Sequence, residues 1–561
     1  MHTTLSRRIG AGLSAVLVSA TLAGFSGPAS AALPDPELAS GEDFTVERTA
    51  GGYLVTVELD DALPIKSDAP TIVVDGVTVG IAAESADGRS LSVFTTDPSV
   101  ASADDVEAGW SAESDPATSP GAPGADDAVA VPDVQAAPSL DVDPTEHGDF
   151  DWTESIYYFG DQAIDLAAIG GVRGEVEGKV YLPTTGGARP TVVLLHGRHS
   201  SCYGTGPSNP LRWPCPIEPG NTDRKSIPSY AGYDGTARAL ASNGYAVVSI
   251  SANAVNSNDN QLAADQGAQA RGQLLLDTLT MLDKATKGEP VSFYDAWLDR
   301  TVTLDQAFLD GAASYAVRGP EGFVGPAPEL DTVTAADLVG RFDLSTIGMM
   351  GHSRGGEGVT SAATLNQGLE DPWAITSILP LAPVDFGRMT VPDVPMNVML
   401  PYCDGDVSNQ QGQHMLDDSR YAFGDDVLRT GVWVMGANHN FFNTVWTPGK
   451  YNFSVSDDWS GNTARRNEPT CGTDPSVADT SIRLSSDAQY DVGTAYMAGW
   501  FRLTLGGEDQ FLPLFDGSPG VPAVLDDADV RTVSTAPAGE RATIMTFEQA
   551  DSLVRTFSGA S

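Results

Sequence analysis

Thr346-Ile-Gly-Met-Met-Gly351-His-Ser353-Arg-Gly-Gly356 is the stretch that decides how this chain reads. Its first five residues are an apolar strand pattern, and Gly356 onward is helical. Between them, Gly351-His352-Ser353-Arg354-Gly355 matches G-x-S-x-G. In a chain of 561 residues with 59 glycines the match alone says little. The placement says much more. A strand, a sharp turn and a helix together project a serine hydroxyl beyond the edge of a sheet, and the flanking glycines let backbones pass closely there. The competing reading is an ordinary Gly-rich strand–helix turn.

Working outward, the pattern repeats. Ile156-Tyr-Tyr-Phe159 and residues 174–182 read as two antiparallel strands. Pro190-Thr-Val-Val-Leu-Leu195 and Ala246-Val-Val-Ser-Ile250 are continuous apolar runs, as expected of strands buried on both faces. Further strands are predicted at Ile378-Leu-Pro-Leu381, Met396-Asn-Val-Met-Leu400 and Gly431-Val-Trp-Val-Met435. Helices are predicted at residues 235–242, 261–284 and 492–505, the second with Leu275, Leu279 and Leu282 on one side. Strands alternating with helices predict an α/β fold with a mostly parallel sheet covered on both faces. Residues 288–340 read as an insertion with a helix or two, and residues 443–486 as an irregular excursion.

A serine hydroxyl needs a base, and there are only seven histidines to choose from. His439 follows a strand in the polar loop Gly436-Ala-Asn-His-Asn440 and is the best candidate. The bland alternative is a loop histidine bonded to backbone. His196, His199 and His352 lie near the other strand ends, where His199 and His352 are also candidates to line the substrate site, with His414 in a helical stretch and His147 in a linker. The third member orients the imidazole and offsets its charge. Asp404 in Pro-Tyr-Cys-Asp404-Gly-Asp406-Val407 is the first acid past its strand, with Asp406 as fallback. The pair also suggests a cation site, but D-G-D-V lacks the other ligands of a calcium loop. No metal or cofactor is expected. An oxyanion hole is expected from the backbone N–H groups of Arg198, after Leu-Leu195-His196-Gly197, and of Arg354, with His199 a near alternative. Phe441, Phe442 and Trp446 follow the base and suit either an apolar acyl site or packing beneath the loop.

The strand-His-Gly, Gly-His-Ser-Arg-Gly-Gly, Asp-x-x-Val and late-His series, in that order, resembles the α/β-hydrolase superfamily over about residues 150–515. The His-Ser-Arg-Gly-Gly form and the spacing resemble the chlorophyllase, platelet-activating-factor acetylhydrolase and cutinase-like polyester hydrolase branch. The resemblance implies an eight-stranded, mostly parallel sheet with helices on both faces, a serine acyl-enzyme, no metal, and Ser353, Asp404 and His439 as the triad. The expected activity is a serine-dependent cleavage of small-molecule or polymeric carboxylic esters. The rivals are a peptidase or acyltransferase on the same fold, and a hydrolase-like cell-surface binding protein without catalysis. The 288–340 insertion and the 443–486 excursion are longer than in compact cutinase-like enzymes.

The ends of the chain carry other signals. Arg7 and Arg8, an apolar stretch to Phe25 and Ala29-Ser30-Ala31 read as a cleaved export signal over residues 1–31. Residues 42–99 alternate apolar and polar positions, a small β-rich module that suits a pro-region, a cell-wall or polymer contact, or a spacer. Residues 100–148 are rich in Ala, Pro, Asp, Ser and Gly, and no Lys or Arg occurs between Arg89 and Arg173, so a linker is expected. The catalytic unit is placed at residues 149–515 and a short β-leaning tail at 516–561. Export makes the four cysteines disulfide candidates with three possible pairings. Cys202 and Cys215 bracket one loop, which favours Cys202–Cys215 and Cys403–Cys471. The net charge is −44, from 31 Lys and Arg against 75 Asp and Glu. That excludes a general nucleic-acid binder or an anionic-membrane binder. It favours neutral or cationic substrates over polyanions. No later apolar run is long enough to span a membrane.

Overall fold

The structure, a computed structural model, describes residues 37–113, 139–205, 209–221, 223–420, 422–461, 463–525 and 528–542. The expected export signal lies outside them, as does most of the expected linker.

Nine strands form one mixed sheet: β1 (Trp152–Tyr158), β2 (Glu177–Pro183), β3 (Arg189–Leu195), β4 (Ala246–Ile250), β5 (Phe342–His352), β6 (Ile375–Leu381), β7 (Met396–Pro401), β8 (Arg429–Val434) and β9 (Val530–Thr535). Their spatial order is β1-β2-β4-β3-β5-β6-β7-β8-β9. Strands β4, β3, β5, β6, β7 and β8 are parallel, while β1, β2 and β9 add antiparallel edges. The central strands are Val-, Ile-, Leu- and Met-rich and buried along most of their length, because helices cover both faces. Helices Ala268–Thr286 and Arg354–Asn366 pack together on one face, and helices Asp234–Ser242 and Ser486–Gly506 on the other. Two apolar cores result, one on each side of the sheet.

The strand count departs from the expected eight. Residues 530–535, assigned by sequence to the tail, pair with β8 through six residues of antiparallel register. The unit built on the sheet therefore does not end at residue 515. Nor does it begin at residue 149. Ser139–Leu140 pairs with Val521–Pro522, and the Pro144 carbonyl accepts a hydrogen bond from Arg502. The long helix starts at Ala268 rather than 261, because residues 259–262 form a separate short turn ahead of Gly267 at φ 83°. The 288–340 insertion contains a hairpin, Ser292–Asp295 with Arg300–Thr303, as well as helix Leu304–Gly322.

The N-terminal module is also larger than composition suggested. Glu37–Ser40 pairs with Phe44–Thr49, and Val106–Trp110 pairs with Pro70–Val74, so the module runs from 37 to 113. Val100, Ala103 and Val106 sit in its core, an apolar spacing that the Ala- and Asp-rich surroundings conceal. That core contains only residues of the module.

Strand β3 has β4 on one side and β5 on the other, so the connections diverge there and a crevice opens at the carboxyl ends of the strands. Register brings Leu195 level with Gly351, which sets His196 and Gly197 beside His352 and Ser353. The approach is close. A Cβ on Gly351 would lie 1.8 Å from the Gly355 carbonyl oxygen, and one on Gly197 would lie 2.4 Å from Ser353 Cβ. Gly351→Ala should therefore cost about 3 kcal/mol or more in urea unfolding, because fixed backbone must move. Gly186→Ala, with open space at its Cβ, should stay within about 0.5 kcal/mol of wild type. Equal stabilities would show that the turn is not close-packed.

Candidate functional site

Ser353 lies between the end of β5 and helix Arg354–Asn366, at φ 62° and ψ −125°. A non-glycine residue there costs on the order of 1–3 kcal/mol and persists only when its surroundings impose it. They do so here. The Ser353 N–H donates to the Leu381 carbonyl at 2.7 Å, and the Ser353 carbonyl accepts from the Gly356 N–H at 2.8 Å. The turn leaves the side chain at the crevice and the Arg354 N–H among the unpaired amides of a helix start.

Asp404 and His439 leave the same end of the sheet, because β7 and β8 are parallel and level at Pro401 and Val434. One Asp404 carboxylate oxygen accepts the backbone N–H groups of Asp406 and Val407 at 2.9 and 2.6 Å. The other accepts from His439 Nδ1 at 2.8 Å. That bond fixes the imidazole so that Nε2 faces the crevice. Asp406, the fallback acid, lies 3.8 Å from Nε2 and makes no bond to Nδ1. Burial favours a neutral imidazole, but the charges of Asp404, Asp406 and Asp458 outweigh it and push His439 up to about 9.

Asp458 binds the two loops together, accepting the N–H groups of Gly405 at 2.7 Å and of His439 at 3.0 Å. Burial, then the charges of Asp404 and Asp457, raise its carboxyl to about 7. Gln489 of helix Ser486–Gly506 both accepts from and donates to the Asn438 backbone, at 2.9 and 2.8 Å. Disulfides join Cys202 to Cys215 and Cys403 to Cys471, with Cα–Cα distances of 5.5 and 5.4 Å. The second ties the residue before Asp404 to the 443–486 excursion.

The other histidines are occupied elsewhere. His352 is held neutral by burial, and the His439 charge reinforces this. Its Nδ1 accepts from the Tyr233 hydroxyl at 3.1 Å, and its Nε2 donates to the His439 carbonyl at 2.9 Å. It supports the His439 loop from below. His196 Nε2 accepts from the Ala252 N–H, and burial lowers its pKa to about 3. His199 stacks on Trp446 with centroids 5.1 Å apart. His147 is exposed, and His414 lies half-buried in helix Gly412–Ser419.

The aromatics that follow His439 are packing residues. Phe442 belongs to the core on one face of the sheet, and Trp446 is buried with its indole N–H donated to Ser229 at 3.0 Å. Phe441 is buried as well. None of the three lines the cleft of about 620 Å³ beside His439. Its walls come from Ile65, Arg198, His199, Asp406, Asn440 and Asp457, among others.

The side chains of Arg198 and Arg354 have a role that sequence reading gave only to their backbones. Both are buried with Arg271 around Asp259, at 3.2, 3.0 and 2.8 Å. Burial would raise the Asp259 carboxyl, but the three guanidinium groups hold it at about 2. They also reach the N-terminal module. Arg198 donates to the Lys66 carbonyl at 3.2 Å, and Arg354 to the carbonyls of Ser67 and Asp68 at 2.8 and 3.0 Å. The Ser67 N–H donates to the Asp406 carboxylate at 3.0 Å. The Ser353 hydroxyl bonds to the Ser67 hydroxyl, whose oxygen is 3.2 Å from His439 Nε2.

Ser67, Asp259 and Asp458 were not anticipated. No motif marks them, and Ser67 stands 286 residues ahead of Ser353. No protein-family model matches the chain, and no curated protein is found similar to it.

The His439 proton has a consequence for stability. Its pKa lies above the ordinary value near 6.5, so the folded chain binds this proton more tightly than the unfolded chain does. The stabilisation is complete below about pH 6.5 and is lost as the pH rises through about 9. An NMR titration should place the imidazole midpoint near 9, and Asp406→Asn should lower it. Urea unfolding should show stability falling across that window, less steeply in His439→Gln. A midpoint near 6.5 in both wild type and Asp406→Asn would refute the charge balance.

Proposed function

We propose that this chain is an exported serine hydrolase of the α/β-hydrolase type that cleaves carboxylic esters. One observation carries the reading: an Asp404–His439 pair faces the crevice in which the strained turn presents Ser353. The sheet order and the crevice at its switch point support the fold assignment. The two disulfides and the leader-like residues 1–31 favour an oxidising compartment. Among the described residues no helix is long and apolar enough to cross a membrane.

In the reaction it is the deprotonated form of His439, the minor form below about pH 9, whose Nε2 takes the Ser353 proton while Oγ attacks the ester carbonyl. Asp404 holds the imidazole and stabilises the imidazolium that forms. The developing oxyanion is met by the Arg354 N–H, with the Arg198 N–H as the second donor. Collapse of the intermediate expels the alcohol, which takes the proton from His439. Water, activated by the same imidazole, then releases the acid and restores Ser353.

Cleavage of amides has one observation in its favour. The groups around the site bind a peptide main chain, with arginine donors on three successive carbonyls and a carboxylate on one N–H. Turnover of a p-nitrophenyl ester, a long-chain ester, a polyester and a peptide amide separates the two readings.

Whatever the rate of the full chain, Ser353→Ala should lower ester turnover by about 10³-fold or more. Asp404→Asn should lower it by about 10²–10⁴-fold. The melting temperature of the Ser353 variant should be unchanged. Turnover at the wild-type rate in Ser353→Ala would overturn the assignment.

A further inference from the structure

Residues 64–69, the second half of the connection from strand Gly52–Glu58 to strand Pro70–Val74 of the N-terminal module, lie across the crevice. Their contacts fall on the residues that a substrate would meet. Ser67 takes the hydrogen bond of the Ser353 hydroxyl and stands between it and His439 Nε2. A working nucleophile and base need that bond to each other. Ser67, Ser353 and His439 are all almost completely buried, so an ester has no route to the serine while the segment is in place. What the segment presents to Ser353 is a hydroxyl, not a carbonyl carbon. It fills the site without offering a bond to cleave.

The rest of the contact is polar and narrow. Glu84 of the module accepts from Asn260 at 2.8 Å and pairs with Arg198 at 3.4 Å, and Asn209 donates to the Ala86 carbonyl at 3.0 Å. The module keeps its own apolar core and shares none with the nine-stranded unit. The cleft beside His439 and a second crevice of about 750 Å³ flank the contact. A unit with its own core, held by hydrogen bonds and an ion pair beside two open clefts, can leave without unfolding its neighbour.

We propose that the N-terminal module is an intramolecular inhibitor whose residues 66–68 occupy the substrate cleft, and that displacing the module makes the site competent. The inference rests on the serine-hydrolase reading above. Arg198, Arg354 and Asp406, now engaged by the segment, are then released to face substrate.

The test uses the full chain with a recognition site for a site-specific protease in place of residues 120–126. Labelling of Ser353 by a fluorophosphonate and turnover of p-nitrophenyl butyrate are measured before cutting, after cutting and gel filtration, and after adding the module back. Both rates should rise at least about 10-fold on removal, as for a site whose competent state is a minor fraction, and fall again on re-addition. In the uncut chain Ser67→Trp, too bulky for the filled space between Ser353 and His439, should raise both rates in the same direction. Circular dichroism checks that this variant folds. If it does not, the cut chain decides. If the module stays bound after cutting, Ser67→Trp decides.

Equal rates with and without the module overturn the inhibitor and leave the hydrolase standing. Absence of labelling in every form, with the module removed and the fold intact, overturns the hydrolase reading and the inhibitor with it.

Discussion

The turn at Ser353 is the constraint from which the rest of the site follows. A serine at φ 62° stays there only because neighbouring strands leave it no alternative. Strand β6 supplies the Leu381 carbonyl for its N–H, and β3 lies close enough that Gly197 has no room for a side chain. The parallel register of β3 and β5 is therefore part of what holds Ser353 in place. A one-residue slip would reverse the faces of every side chain and separate Gly197 from Ser353.

Around that turn the charges are sorted. Asp404, Asp406 and Asp458 lie on the side of His439. Arg198, Arg271 and Arg354 surround Asp259 on the other side. The carboxylates raise the affinity of the imidazole for a proton, while the guanidinium groups present donors. Residues 66–68 fit between the clusters because a peptide main chain carries both polarities. Its carbonyls meet the arginines and its N–H meets Asp406. The net charge of −44 says nothing of this arrangement, which depends on a few buried groups.

The sheet strands were legible because buried β-strands are runs of apolar, often β-branched residues, and helices interrupt them at regular intervals. Ser353, Asp404 and His439 were legible for a related reason. Each follows such a run, so its strand places it at one end of the sheet, and the structure brings Asp404 and His439 within hydrogen-bonding distance. The same logic failed where composition misled. Val100, Ala103 and Val106 are apolar positions in an acidic, alanine-rich stretch, and strand Val530–Thr535 lies beyond the last helix. Trp446 and Phe442, close after His439 in sequence, turn into buried clusters because their loop folds back on the molecule.

By itself the sequence determined an alternating α/β unit, a strand-turn-helix at Ser353, and the loops that carry Asp404 and His439. Those are local consequences of periodicity and glycine placement. Only the tertiary structure decided that Ser67 stands between Ser353 and His439, that Asp458 joins two loops, and that Asp259 gathers three arginines. These contacts link residues far apart in the chain through single polar side chains. A lone serine or aspartate has no periodicity to announce it, and its partner is set by how distant elements pack.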